Sequence, residues 1–160
     1  MKTQIKPSKR YDALIKFSRE HHYGLLLVWK IRRGIKNNIE AERIADYTLF
    51  FFEHDLQTHF KEEEGTLFTK LDSENSMLKR ALQEHQTIYA LIDVIHADKQ
   101  NFHSLNEFAD ALEKHIRFEE RELFNYLQSN LSEAELIELA EKHSAKVCDV
   151  SENWNDKFWN

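Results

Sequence analysis

The chain has very little of what interrupts a helix or crosslinks a fold: three glycines, one proline and one cysteine in 160 residues. Because glycine and proline are the strongest helix breakers, their scarcity predicts long helices and an all-α fold. The single cysteine, Cys148, cannot form an intramolecular disulfide, and the first residues lack the apolar core of a signal peptide. We therefore expect a cytoplasmic protein.

Long apolar runs and a positive charge excess are also missing. No apolar stretch approaches the roughly 20 residues that cross a membrane, and the formal net charge of −6 opposes binding to nucleic acid. The length of 160 residues fits one domain, so we expect residues 1–160 to form a single unit. Its partners are expected among small ions and molecules, with neither a membrane nor nucleic acid.

Hydrophobic residues recur at helical spacing in four long segments and one shorter segment. They predict helices over about 8–33, 44–71, 76–96, 104–127 and 132–145. Capping boxes that begin at Ser104 and at Ser132 mark the starts of the last two helices. Short connections between long amphipathic helices favour an up-and-down four-helix bundle over about residues 8–127, with an extra C-terminal helix and tail over 128–160. The tail itself has no assignable pattern.

One short phrase occurs twice in the sequence. His59 and Glu63 are followed by Leu67-Phe68, and His115 and Glu119 are followed by Leu123-Phe124. In each copy the His and the Glu are four residues apart, so on a helix both side chains leave the same face. This spacing is typical of metal ligands, and its repetition predicts two halves of one site.

A third histidine falls at the same height in the predicted bundle. His59 and His85 each lie about 13 residues from the loop near residue 72, and His85 and His115 each lie about 15 residues from the loop near residue 100. A single His on an apolar stripe is usually a hydrogen-bonded core residue. Burying this whole layer without a partner would cost several kcal/mol, so the set together favours a metal site.

These residues also form a recognisable series of motifs. In chain order the motifs are Glu20-His21-His22, His59-x-x-x-Glu63-Glu64, Glu84-His85 and His115-x-x-x-Glu119-Glu120. The series, over about residues 10–127, resembles the hemerythrin-like, or HHE cation-binding, domain family. The resemblance implies two iron ions in a non-haem di-iron site inside a four-helix bundle. The implied ligands are His59, His85, His115, one His of the first helix, and Glu63 and Glu119 as bridging carboxylates.

The first helix leaves its ligand ambiguous. We favour His22, because Leu25 and Trp29 follow it at +3 and +7 as in the His-x-x-Leu run of the family. The alternative is His21, which directly follows a Glu. Glu120 is a fallback ligand in the fourth helix. Imidazole and carboxylate donors suit iron, while manganese or zinc would also bind such a set.

The resemblance implies a protein that binds or senses O2, NO or peroxide, or handles iron. The alternative is a di-iron enzyme of the oxidative or nitrosative stress response, acting in peroxide reduction or iron–sulfur cluster repair. The oxygen carriers of the family add a fifth His one turn from the third-helix ligand, where this chain has Ala81 and Tyr89. That difference argues against reversible O2 transport.

A third alternative is a regulatory module. Its partner surface would be the C-terminal helix with three aromatic residues of the tail, Trp154, Phe158 and Trp159. Such residues are more often docked on their own bundle or on a dimer mate, so a homodimer stays open.

Overall fold

The computed structural model describes residues 12–142 and 147–160, most of which are helical and none of which lies in a strand. Helix α1 spans Asp12–Lys36, α2 runs without a break over 41–70, α3 spans Ser76–Ala97, α4 runs over 102–130 and α5 spans Glu133–Lys142. The predicted all-α fold is confirmed. The predicted start of the first helix near residue 8 and the end of the fifth near 145 lie outside the described residues. Within the described ranges, no helix is both long and apolar enough to cross a bilayer.

The two predicted capping boxes have different outcomes. The Ser132 box is confirmed, because the Glu135 N–H donates to the Ser132 hydroxyl at 3.1 Å and the Ser132 N–H donates to the Glu135 carboxylate at 3.2 Å. The box at Ser104 is wrong. Helix α4 begins two residues earlier, because the Asn101 side chain accepts two N–H groups of the first turn at 2.9 and 3.3 Å. Asparagine is an equally good cap, and Ser104 is buried inside the turn.

Contacts between neighbouring helices show that these helices run in opposite directions along the bundle. The start of α1 meets the end of α2, and the same reversal relates α2 to α3, α3 to α4 and α4 to α1. The first two helices are joined by Lys16 with Glu62 and by Lys30 with Tyr47, and α2 and the end of α3 by Asp46 with Lys99 and by Glu64 with His85. Between α3 and α4 the pairs are Arg80 with Glu122 and His85 with His115, and between α4 and α1 they are His21 with Glu120 and Arg32 with Asp110. Consecutive helices are therefore antiparallel, and α5 packs against α1.

The apolar core is divided into two clusters by a polar layer. One cluster contains Leu27, Ile44 and Phe108, and the other contains Leu14 and Phe124, all of them fully or almost fully buried. On each of the four long helices, a buried His or Glu lies close to the point where the chain passes from one cluster to the other. The polar side chains thus lie at mid-height in the bundle, away from both ends.

The aromatic tail is docked on the chain's own bundle. Phe158 and Trp159 are buried against Tyr47, with ring centroids 6.0 and 4.8 Å from the tyrosine ring. Arg43 of α2 holds the same segment through two hydrogen bonds to the Asp156 carboxylate, at 2.8 and 2.7 Å. The third functional alternative needed these aromatic residues as a partner surface, and two of them are already covered.

Candidate metal centre

Both copies of the repeated phrase share the same helical irregularity. In α2 the α-helical turn Gln57–Glu62 is followed by the π-helical turn Glu63–Leu67, and in α4 the α-helix Phe102–Phe118 is followed by the π-helical turn Glu119–Leu123. Each inner carboxylate is therefore the first residue of a π-helical turn. Such turns are frequent at functional sites because they change the direction of the side chains that follow.

Six buried polar side chains meet where these turns face each other. They are His21, His59, Glu63, His85, His115 and Glu119, each 3% exposed or less. They form two overlapping groups of four, within which the nitrogen and oxygen atoms lie within 4.8 Å of one another. One group contains His21 and His59, the other contains His85 and His115, and both contain Glu63 and Glu119. We call these six residues the inner cluster.

Distances inside the inner cluster match those between ligands of a common ion. Glu63 Oε1 lies 3.2 Å from His59 Nε2 and 3.3 Å from His85 Nε2. Glu119 Oε1 lies 3.0 Å from His115 Nε2 and 3.2 Å from His21 Nε2. Two donors that are each about 2.1 Å from an ion, at a right angle to each other, are about 3 Å apart. The donor set therefore has the spacing that a metal ion requires.

Several polar atoms of the inner cluster lack a hydrogen-bond partner. Among the described residues, the buried atoms without one include His59 Nε2, both carboxylate oxygens of Glu63 and Glu119 Oε2. An unpaired buried polar group typically costs 1–3 kcal/mol, and a charged one costs more. Four such atoms in one place indicate a cation as the missing partner, because all of them are electron donors toward a metal.

Burial and mutual charge shift the ionisation of the cluster. Burial raises the pKa of Glu63 well above its usual range, and the charge of Glu119 adds to this effect. Burial also opposes ionisation of Glu119, but His115 and His21 hold the pKa of that carboxyl well below its usual range. Burial lowers the pKa of His85 to about 3, with a further contribution from His115. Burial also disfavours the charged form of His115, yet Glu119 raises the pKa of this residue to about 10. A metal ion would displace protons from Glu63 and His115 on binding.

The first helix contributes His21 to the inner cluster, whereas the sequence favoured His22. His22 is exposed, because consecutive helical residues diverge by about 100° and the buried position belongs to its neighbour. The sequence pattern places Trp29 on the inner face, but Trp29 is 49% exposed, and the buried position in this turn is Gly24. A Cβ on Gly24 would lie 2.7 Å from Ile116 Cδ1, so a larger residue here would displace the end of that side chain.

The structure brings His59, Glu63, His85, His115 and Glu119 together as expected. Glu120, the fallback ligand, lies outside the inner cluster, with its Oε1 atom 2.8 Å from His21 Nδ1.

Two aromatic rings line the inner cluster. Phe60 stacks on His85 with ring centroids 3.9 Å apart, and Phe124 stacks on His21 at 5.2 Å. Nothing in the spacing of the phenylalanines distinguished these two from ordinary core residues.

Comparison with known proteins agrees with this geometry. The family described as hemerythrin HHE cation binding domain matches residues 12–127, which include the whole inner cluster. Comparison with curated proteins gave no significant match, and comparison with solved structures gave none either.

Proposed function

This chain belongs to the hemerythrin HHE cation-binding domain family, and we propose that it holds two iron ions side by side at mid-height in its helical bundle. The observation that carries the proposal is the set of four unpaired, buried polar atoms on His59, Glu63 and Glu119. Glu63 and Glu119 belong to both overlapping groups, and each group alone offers four donors. A second ion would use His85 and His115, the two histidines that only the other group contains.

Each ion would take two imidazoles and share two carboxylates. The proposed ligands are His21 and His59 for one ion, His85 and His115 for the other, and Glu63 and Glu119 for both. Iron sites built from imidazole and carboxylate commonly keep open positions for a small ligand. Manganese or zinc would also be held by this donor set, which contains no thiolate.

We propose that the site binds or reacts with O2, NO or peroxide. The aromatic rings of Phe60 and Phe124 cover two of the histidines and exclude water from that side of the cluster. An apolar wall of this kind controls solvent access and favours small uncharged molecules over ions. Iron, when bound, supplies the redox chemistry, and the residues of the chain hold the donors in place and keep water out.

We also propose that residues 1–160 form one domain. The family match ends at residue 127, but α5 packs against α1 and the aromatic tail packs against Tyr47. Both segments are therefore built onto the same bundle.

The first expected result concerns metal content. Protein freed of metal, loaded anaerobically with excess ferrous iron and desalted should retain about two ions per chain, because the two groups have separate histidines. Elemental analysis against protein concentration measures this. A plateau at one ion per chain or below would refute the dinuclear site.

The same loaded sample tests how the site treats O2. In the third helix, Ala81 and Tyr89 lie one turn before and one turn after His85, so no fifth imidazole is available there to saturate either ion. We expect mixing with O2 to change the absorption spectrum, and an argon flush to leave that change in place. A spectrum that reverts within minutes of the flush would indicate a reversible binding protein.

The enzyme alternative predicts a further result. Repeated consumption of peroxide or O2 in the presence of an added reductant would identify a catalyst. A single stoichiometric reaction would point to a sensor or an iron-handling protein.

A further inference from the structure

Each histidine of the inner cluster has a second partner, on the side of its ring that faces away from the centre. The Nδ1 atom of each ring lies within hydrogen-bond distance of a carboxylate on another helix. The pairs are His21 with Glu120 at 2.8 Å, His59 with Glu20 at 3.2 Å, His85 with Glu64 at 3.2 Å and His115 with Glu84 at 2.8 Å. We propose that these four outer carboxylates, here called the carboxylate ring, position the histidines for metal binding, an inference that rests on the proposed function.

The carboxylate ring closes around the bundle in chain order. Glu20 of α1 reaches α2, Glu64 of α2 reaches α3, Glu84 of α3 reaches α4, and Glu120 of α4 returns to α1. On α1 and α3 the outer carboxylate directly precedes the histidine, and on α2 and α4 it directly follows the inner carboxylate. Because adjacent helical residues diverge by about 100°, one of each pair faces the centre and the other faces the neighbouring helix.

The chemistry of imidazole explains what the ring does. A neutral imidazole carries one proton, and its other nitrogen has the lone pair that binds a metal. When Nδ1–H donates to an outer carboxylate, the lone pair must lie on Nε2, which in all four histidines points into the inner cluster. The same bond fixes the rotation of the ring and makes Nε2 a stronger donor. The outer carboxylates are positioning residues that act through the histidines.

The outer and inner carboxylates differ in how deeply they are buried. The outer four are 10–35% exposed, whereas the side chains of Glu63 and Glu119 are fully buried. Glu84 also accepts a hydrogen bond from Arg80 Nε at 3.1 Å, so it is stabilised at the wall of the bundle as well as by His115. Replacing an outer carboxylate therefore leaves the packed core untouched, and its effect should show in metal affinity.

The test measures ferrous iron affinity under anaerobic conditions by competition with a chromophoric chelator. Glu84→Ala should raise the dissociation constant about 10- to 100-fold, because it frees the His115 ring. Glu84→Gln keeps an acceptor oxygen and should recover most of the loss. The matched control is Glu62→Ala, since Glu62 is similarly half-buried but pairs with Lys16, and it should change the affinity little.

A double-mutant comparison separates positioning from a general effect of charge. If Glu84 acts through His115, then Glu84→Ala should add less than about threefold to the loss already caused by His115→Ala. A fully additive loss would overturn the inference, and so would a Glu84→Ala variant with parental affinity. Should Glu84→Ala lose its helical circular dichroism, Glu64→Ala and its partner His85→Ala take the same test.

The outcomes also separate this inference from the proposed function. If the parent protein retains no iron in the competition assay, the proposed metal site itself fails. If the parent retains about two ions and the variants of the carboxylate ring bind them equally well, only the positioning role fails.

Discussion

Replacing Glu63 with glutamine is expected to empty both halves of the inner cluster, leaving well under one iron ion per chain where the parent retains about two. Glu63 belongs to both groups of donors, and its Oε1 atom lies within 3.3 Å of a histidine from each. Glutamine keeps the shape of the side chain but loses its charge. A neutral amide cannot offset two adjacent cations in a site shielded from water.

In the absence of metal, the same substitution should not lower the melting temperature. Burial raises the pKa of Glu63, which means that its ionised form destabilises the fold when no cation is present. Metal-free Glu63→Gln should therefore melt at the same temperature as the metal-free parent or higher. Thermal melting followed by circular dichroism distinguishes lost metal binding from lost folding.

Two comparison variants sharpen the Glu63 experiment. His59→Ala removes a donor from one group only, so it should retain about one ion. Glu62→Gln changes the adjacent residue, which pairs with Lys16, and should retain both ions. Two ions per chain in Glu63→Gln would show that this carboxylate is not shared between the metals.

The sequence contained enough information for the bundle and for most of the inner cluster. Scarce glycine and proline, together with the helical spacing of apolar residues, predicted the long helices. Equal distances from the loops placed His59, His85 and His115 in one layer, and the structure brings these three together. This worked because the rise per residue of a helix is nearly constant, so height in a bundle can be counted along the chain.

What the sequence could not supply was the rotation of side chains around each helix. The π-helical turns at Glu63–Leu67 and Glu119–Leu123 change the direction in which the following side chains point, and no local residue pattern predicts these turns. The buried tail is a second example. Phe158 and Trp159 follow no helical period, and their place is fixed by contacts with residues such as Tyr47 more than 100 positions away.

The first helix shows most clearly how rotation decides the site. His21→Ala should remove about one of the two iron ions, whereas His22→Ala should retain both. His21 Nε2 lies 3.2 Å from Glu119 Oε1 inside the inner cluster, while the side chain of His22 is exposed. Iron analysis after anaerobic loading measures the difference, and His22→Ala serves as the matched control because it alters the adjacent residue.

A second measurement on the same pair identifies which ion is lost. His21 shares its group with His59, so His21→Ala and His59→Ala should each remove the same ion, and the double variant should still retain about one. Combining His21→Ala with His85→Ala should instead disturb both positions, because His85 belongs to the other group. If His22→Ala loses iron and His21→Ala does not, then the first helix is rotated by about one residue from the arrangement described, and His22 is the ligand.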